Sequence, residues 1–248
     1  MIIDLNAWAG HWGTFPIEGE VKQVRAALQA VGVEHIFLSP RHAAWCHNPH
    51  LCNELVYQAA TEDKSIHAVP VLDPTIPSWR EEMQRAAKGQ VQWIKLLPAY
   101  SQFNLDQADE LLAAAGKARI GVIVQTRIED PRRQHPLTQV PDVPIRMIAE
   151  AARRHPGVIF VIGGGSWSGI SEVKRELSLF SNLFADTSQL DGTNSVQSLV
   201  ESGLESKLLF GSHAPFFVPL AAIARVINDL DNTSAAAIFS RNALKLMA

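Results

Sequence analysis

Eight short runs of β-branched and apolar residues, each followed by a longer amphipathic segment, limit this chain more than any other feature of its sequence. They are "MIIDLN", "HIFLSP", "IHAVPVL", "WIKLLP", "IGVIVQ", "GVIFVIG", "NLFADTS" and "KLLFGS". Near-continuous hydrophobicity suits strands covered on both faces, and a helix between each pair of strands requires parallel crossovers. Helix signals agree. Apolar residues recur at helical spacing in "EGEVKQVRAALQAVG", which closes at Gly32, and "NLDQADELLAAAGKA" opens with acids and is expected to end at Gly116. Asn48 before Pro49 reads as an N-cap and first-turn proline, and "TSAAAIFSRNALKLMA" as a closing helix.

Eight strand-helix pairs in 248 residues predict a single α/β domain over residues 1–248, a (β/α)8 barrel with a C-terminal helix. An open doubly wound sheet is the alternative, but no glycine-rich dinucleotide fingerprint follows the first run. A net charge of -3 gives no basic footprint for nucleic acid. No apolar stretch approaches the length that spans a bilayer, and no leader pattern opens the chain, so a cytoplasmic protein without a membrane partner is expected. The two cysteines, Cys46 and Cys52, are too few for a disulfide framework.

In a barrel, chemistry sits just beyond the C-terminal ends of the strands. The side chains there are Asn6, Trp8, His11 and Trp12 after the first run, and Arg41, His42, Trp45 and His47 after the second. Lys95 lies in the fourth run, Gln125 and "TRIEDPRRQHP" follow the fifth, "GGGSWSG" the sixth, Asp186 to Ser188 the seventh, and His213 the eighth. A lysine in an apolar strand needs a carboxylate such as Asp4, a function, or a route to the rim. Arg127 and Arg133, with their planar guanidinium forks, are suited to hold an anion; Glu129 and Asp130 offer them internal partners instead. Gly163 to Gly165 could bring backbone amides to an anion or form a flexible loop. The loop tryptophans suit an apolar mouth or a homodimer interface. "WCHNPHLC" contains zinc-competent residue types at unsuitable spacing.

The segments "IIDLNAWAG", "WIKLLP", "LFADTSQ", "LLFGSHAPF" and "IFSRNALKL" together resemble the amidohydrolase-related family 2, whose members include metal-dependent hydrolases and decarboxylases. The resemblance implies a divalent zinc or manganese ion held by a His-x-His pair, histidines after strands five and six, and an aspartate after strand eight. At those positions this chain has Asn6 and Trp8, Gln125, the Gly163 to Gly165 run, and His213. Carboxamides are weak zinc ligands and indole is none, which makes the usual ion doubtful and leaves the metal ligands unassigned. A set rebuilt from His11, His42 and His213 is the remaining way to keep one.

The expected activity is hydrolysis of a small carboxylate-bearing lactone, ester or amide. His213 or Asp130 would handle protons, Arg127 and Arg133 would hold the anion, and Asn6, Trp8, His11, Lys95 and Gln125 would line the substrate site. A catalytically inactive barrel that binds a small anionic metabolite, and a metal-dependent decarboxylase, are the alternatives.

Overall fold

The computed structural model describes residues 1–13, 16–228 and 230–247. Every one of the eight runs contains a strand: β1 Ile3–Ala9, β2 His35–Pro40, β3 Ile66–Ala68, β4 Trp93–Leu96, β5 Gly121–Gln125, β6 Phe160–Gly163, β7 Leu183–Asp186 and β8 Leu208–Leu209. All the pairings are parallel, in the orders β1-β2-β3 and β4-β5-β6-β7-β8. Two seams close the ring. Lys95 N donates to Pro70 O and Leu72 N to Lys95 O between β3 and β4; Leu5 N donates to Phe210 O and His213 N to Asn6 O between β8 and β1. The result is the expected (β/α)8 barrel.

Helix ends differ from expectation in one case. The helix Asp109–Ala118 runs through Gly116 and ends at Arg119, which takes the left-handed conformation (φ 56°). Glycine is only moderately unfavourable in a helix interior, so the packing of Leu111, Leu112 and Ala115 carries the helix past it. Asn48 does cap the 3-10 turn Pro49–Asn53, its side chain accepting from His50 N. The closing helix forms as Asn232–Ala236, a π turn Ala237–Arg241 and Asn242–Met247. Among the described residues no helix is long and apolar enough to cross a membrane.

Side chains alternate across a strand, so the barrel interior is built in layers two residues apart. The lowest layer is apolar: Ile3 and Leu5 from β1, then Phe37, Val69, Trp93, Ile123, Val161, Phe184 and Leu209, in order around the ring. Two residues further along β2 to β8 stand Ser39, Val71, Lys95, Gln125, Gly163, Asp186 and Gly211. In β1 a register shift between Asp4 and Ala7 re-aims the strand, so Asn6 and Trp8 join this upper, polar layer. The helices cover the outer faces through a separate, larger apolar cluster.

The lower layer is filled to contact. A Cβ added at Gly121 would lie 2.2 Å from the buried Trp93 ring. Gly121→Ala is therefore expected to lower unfolding free energy by roughly 1–3 kcal/mol, the usual cost of overpacking, measured as a lower urea midpoint with an unchanged m-value.

Candidate functional site

Apart from Ser39, whose buried hydroxyl has no partner, the polar side chains of the upper layer form one hydrogen-bonded network closed to solvent. The Lys95 ammonium donates to Asn6 Oδ1 at 2.7 Å and lies 3.7 Å from the centroid of the Trp8 ring. Asn6 Nδ2 donates to Asp186 Oδ2 at 2.6 Å and to Gln125 Oε1 at 3.1 Å. Asp186 Oδ1 accepts from Gly164 N, Ser188 N and Ser188 Oγ. Asp4 accepts from Ser212 N, Ser212 Oγ and Asn6 N. Burial pulls the Lys95 ammonium down to about 7 against the opposing pull of Asp186 and Asp4, and raises the Asp4 carboxyl to about 6.

Lys95 thus neither reaches the rim nor hydrogen-bonds Asp4, as the sequence suggested. Its nearest acceptor is an amide oxygen, because Asp4 is taken up by Ser212 and the β1 backbone. The glycine run is also settled. A Cβ at Gly163 would lie 2.8 Å from Gln125 Oε1, and one at Gly164 (φ +66°) 2.5 Å from Gln125 Nε2. The run brings backbone against Gln125, and the anion that meets its amide is the protein's own Asp186.

His213 is wholly buried with a left-handed backbone (φ 57°). Its Nε2–H donates to Ile128 O at 2.6 Å, which leaves Nδ1 to accept from Trp8 Nε1–H at 3.3 Å. The Trp8 N–H and the Ile128 carbonyl are both met by this one neutral tautomer, while Gln189 Nε2 lies 3.1 Å from the same Nε2. Burial pushes the imidazole down to about 3, with Lys95, Arg127 and Arg225 adding to the effect. A ring with both nitrogens engaged and no access to solvent is not a working general base. Asp130 is no better suited to take a proton: hydrogen bonds from Arg132 hold its carboxyl down to about 2.

Above the polar layer the mouth is capped by aromatic rings. Trp12 packs on Trp45, Tyr100 and Phe216, with centroids 5.3, 6.4 and 4.8 Å away. Asn6, Trp8, Lys95 and Gln125 lie beneath this cap, each with a protein partner on its polar group. His11 is exposed, and Arg133 is exposed outside the cavity lined by Arg127.

Two cavities flank the loop after β5. The larger, about 840 Å³, is mostly apolar, with Trp45, Tyr100, Phe103, Leu137 and Met147 among its walls. The other, about 570 Å³, is lined by Arg127, Arg132, Arg225, Asp130, Asp191, Gln189, Pro131 and Phe217. Arg127 is held by Gln189 Oε1 (2.8 Å) and faces Asp142 at 3.6 Å, while Asp130 pairs with Arg132. Arg225 Nη1 donates to Thr187 O and Ser188 O, both at 2.9 Å. Arg225 was invisible to a reading of strand ends, because it reaches the mouth from inside the helix Pro219–Ile227.

The ion implied by the amidohydrolase resemblance does not fit these residues. Asn6 Oδ1 already accepts from an ammonium, Gln125 Oε1 from Asn6, and His213 Nδ1 from Trp8, while Lys95 would face the incoming cation. Among the described residues no group of three or more His, Cys, Asp and Glu is arranged to hold a metal, which also removes the set His11, His42 and His213.

No family model matches the chain, and no curated protein does. Solved structures match closely in fold. A 2,6-dihydroxybenzoate decarboxylase complexed with 2,6-dihydroxybenzoate has a TM-score of 0.75 at 14% identity, with 99% of both chains covered. A dihydroxybenzoic acid decarboxylase from Polaromonas sp. JS666, with bound manganese and the inhibitor 2-nitroresorcinol, has a TM-score of 0.73 at 13% identity, covering 99% of this chain and 96% of that one. A candidate 2-pyrone-4,6-dicarboxylic acid hydrolase from Pseudomonas putida has a TM-score of 0.73 at 16% identity, covering 99% and 97%. The structural neighbours are thus amidohydrolase-type TIM-barrel decarboxylases and hydrolases, and this chain has their fold.

Two outcomes follow from the network. Lys95→Met leaves Asp186 buried without its cation and is expected to cost roughly 3–5 kcal/mol in urea unfolding; adding Asp186→Asn should recover part of that loss. The unfolded chain protonates His213 below its ordinary value of 6.5, whereas the folded chain resists until about 3. His213 therefore makes stability fall as pH drops from 6.5 toward 3. Asp4 acts the other way between about 6 and 3.8, where the folded state takes its proton first. Comparing the stability-pH curves of wild type and His213→Gln isolates the histidine: the variant's curve should decline less steeply across that window.

Proposed function

We propose that this protein binds a small, ring-bearing carboxylate at Arg127 and Arg225, without a divalent metal. The observation that carries the reading is a division of labour. Apart from Ser39, the polar side chains at the barrel centre are hydrogen-bonded to one another beneath an aromatic cap, whereas Arg127, Arg132 and Arg225 meet Asp130 and Asp191 around an open cavity beside it, three cations to two carboxylates. Its volume of about 570 Å³ is in the range of small-ligand sites. Arg127 and Arg225 are fixed in advance by Gln189 and by two backbone carbonyls, which lowers the entropy lost when an anion docks.

Phe217 gives this cavity an aromatic wall. The ligands named with the structural neighbours, 2,6-dihydroxybenzoate and 2-nitroresorcinol, are ring compounds with acidic substituents. Binding is favoured over hydrolysis or decarboxylation because, of the two acids lining the cavity, Asp130 is held ionised by Arg132 and Asp191 accepts from Trp167 N, and His213 is closed off.

Calorimetric titration with 2,6-dihydroxybenzoate and 2-pyrone-4,6-dicarboxylate as probes, with product analysis by mass spectrometry, tests this reading. Saturable binding is expected, weakened about tenfold or more by Arg127→Gln and by Arg225→Gln, with the probes recovered intact. Equal affinity in wild type and both variants, or conversion of a probe, would contradict it.

A further inference from the structure

We propose that Cys46 and Cys52 form a reversible intramolecular disulfide at the edge of the larger cavity. The two sulfur atoms lie 3.0 Å apart, so a bond requires them to close by only about 1 Å. Both are free thiols, Cys46 exposed and Cys52 buried.

The approach is set by anchors on either side of the pair. Upstream, the turn Arg41–Trp45 is seated by the buried Arg41, whose guanidinium donates to Gly10 O and Ile17 O. Downstream, Asn53 exchanges hydrogen bonds with the Val71 backbone and donates to Glu82; between the two cysteines, His50 is held by Ser78 Oγ and Asp73 N. The sulfurs are therefore brought together by the fold and not merely by sequence proximity. The same anchors exclude zinc here, since both nitrogens of His50 are engaged and His47 is exposed.

The chemistry has a defined order. The exposed Cys46 thiolate attacks an electrophilic oxidant such as diamide and forms an adduct through sulfur. Cys52 then loses its proton and attacks Cys46 Sγ, forming the S–S bond and expelling the reduced hydrazine. Two thiol hydrogens and two electrons pass to the oxidant. Burial and the neighbouring Cys46 raise the Cys52 thiol, and Cys46 is the exposed one, so Cys46 reacts first. The bond would tie Cys52 to Cys46, which with Trp45 and His47 lines the cavity of about 840 Å³.

The test is diamide treatment of the full-length wild-type protein, followed by intact mass, alkylation and peptide mapping, both native and in urea. The expected result is a monomer lacking two hydrogens, with both thiols blocked and restored by dithiothreitol. The native chain should form it about tenfold faster or more than the unfolded chain, because the fold supplies a high effective concentration. Three results would each overturn the proposal: both thiols alkylating after diamide, oxidation ending in a disulfide-linked dimer or on Cys46 alone, or equal rates in native and unfolded chains.

Discussion

A lysine ammonium buried at the centre of a barrel must be satisfied by its surroundings, and the upper half of this molecule is arranged around that requirement. Lys95 has an amide oxygen at 2.7 Å, an indole face at 3.7 Å, and the fields of Asp186 and Asp4. Each of those partners needs further partners. Asp186 draws in the Gly164 amide and Ser188; Asp4 draws in Ser212; Trp8 fixes the tautomer of His213. Desolvating a charge costs several kcal/mol, offset only where every remaining donor and acceptor is met, and here the chain of partners runs across five strand ends.

Charge at the barrel centre also moves the place where a ligand can meet the protein. The C-terminal face of such a barrel ordinarily presents its strand-end side chains to substrate. Here those side chains face one another under Trp12 and its aromatic neighbours, and the cationic groups within reach of solvent lie to one side, on the loop after β5 and the helix after β8. The two carboxylates that could balance an external ion at the centre are already accepting hydrogen bonds from the protein. Structure and electrostatics therefore favour the same proposal, an anion held beside the barrel axis.

The fold was legible because it rests on two periodicities, apolar runs of strand length and helical repeats between them, which survive without any knowledge of partners. All eight runs became strands. The interior layers were legible too in principle: stepping two residues on from Trp93, Ile123 and Phe184 reaches Lys95, Gln125 and Asp186. What the sequence could not give is which strand-end groups would satisfy each other. His213 reads as a candidate base until Trp8 and Ile128 are seen on its two nitrogens. Arg225 was missed because helix periodicity marks it as an ordinary polar residue, and only the folded chain brings its guanidinium onto the Thr187 and Ser188 carbonyls beyond β7. The β1 register shift that turns Asn6 and Trp8 inward has no signature in "DLNAW". The resemblance to amidohydrolase-related barrels carried the architecture correctly, and its metal ligands failed position by position because the donor atoms at those sites are amides, an indole and an occupied imidazole.

The central claim is that the protein's own ammonium serves where a bound cation would otherwise be required. Its most direct test is the divalent metal content of untagged protein purified without chelator, read together with the melting temperature on adding zinc or manganese. Substoichiometric metal and no stabilising shift are predicted. One ion per chain, with a rise in melting temperature that grows with ion concentration, would contradict it.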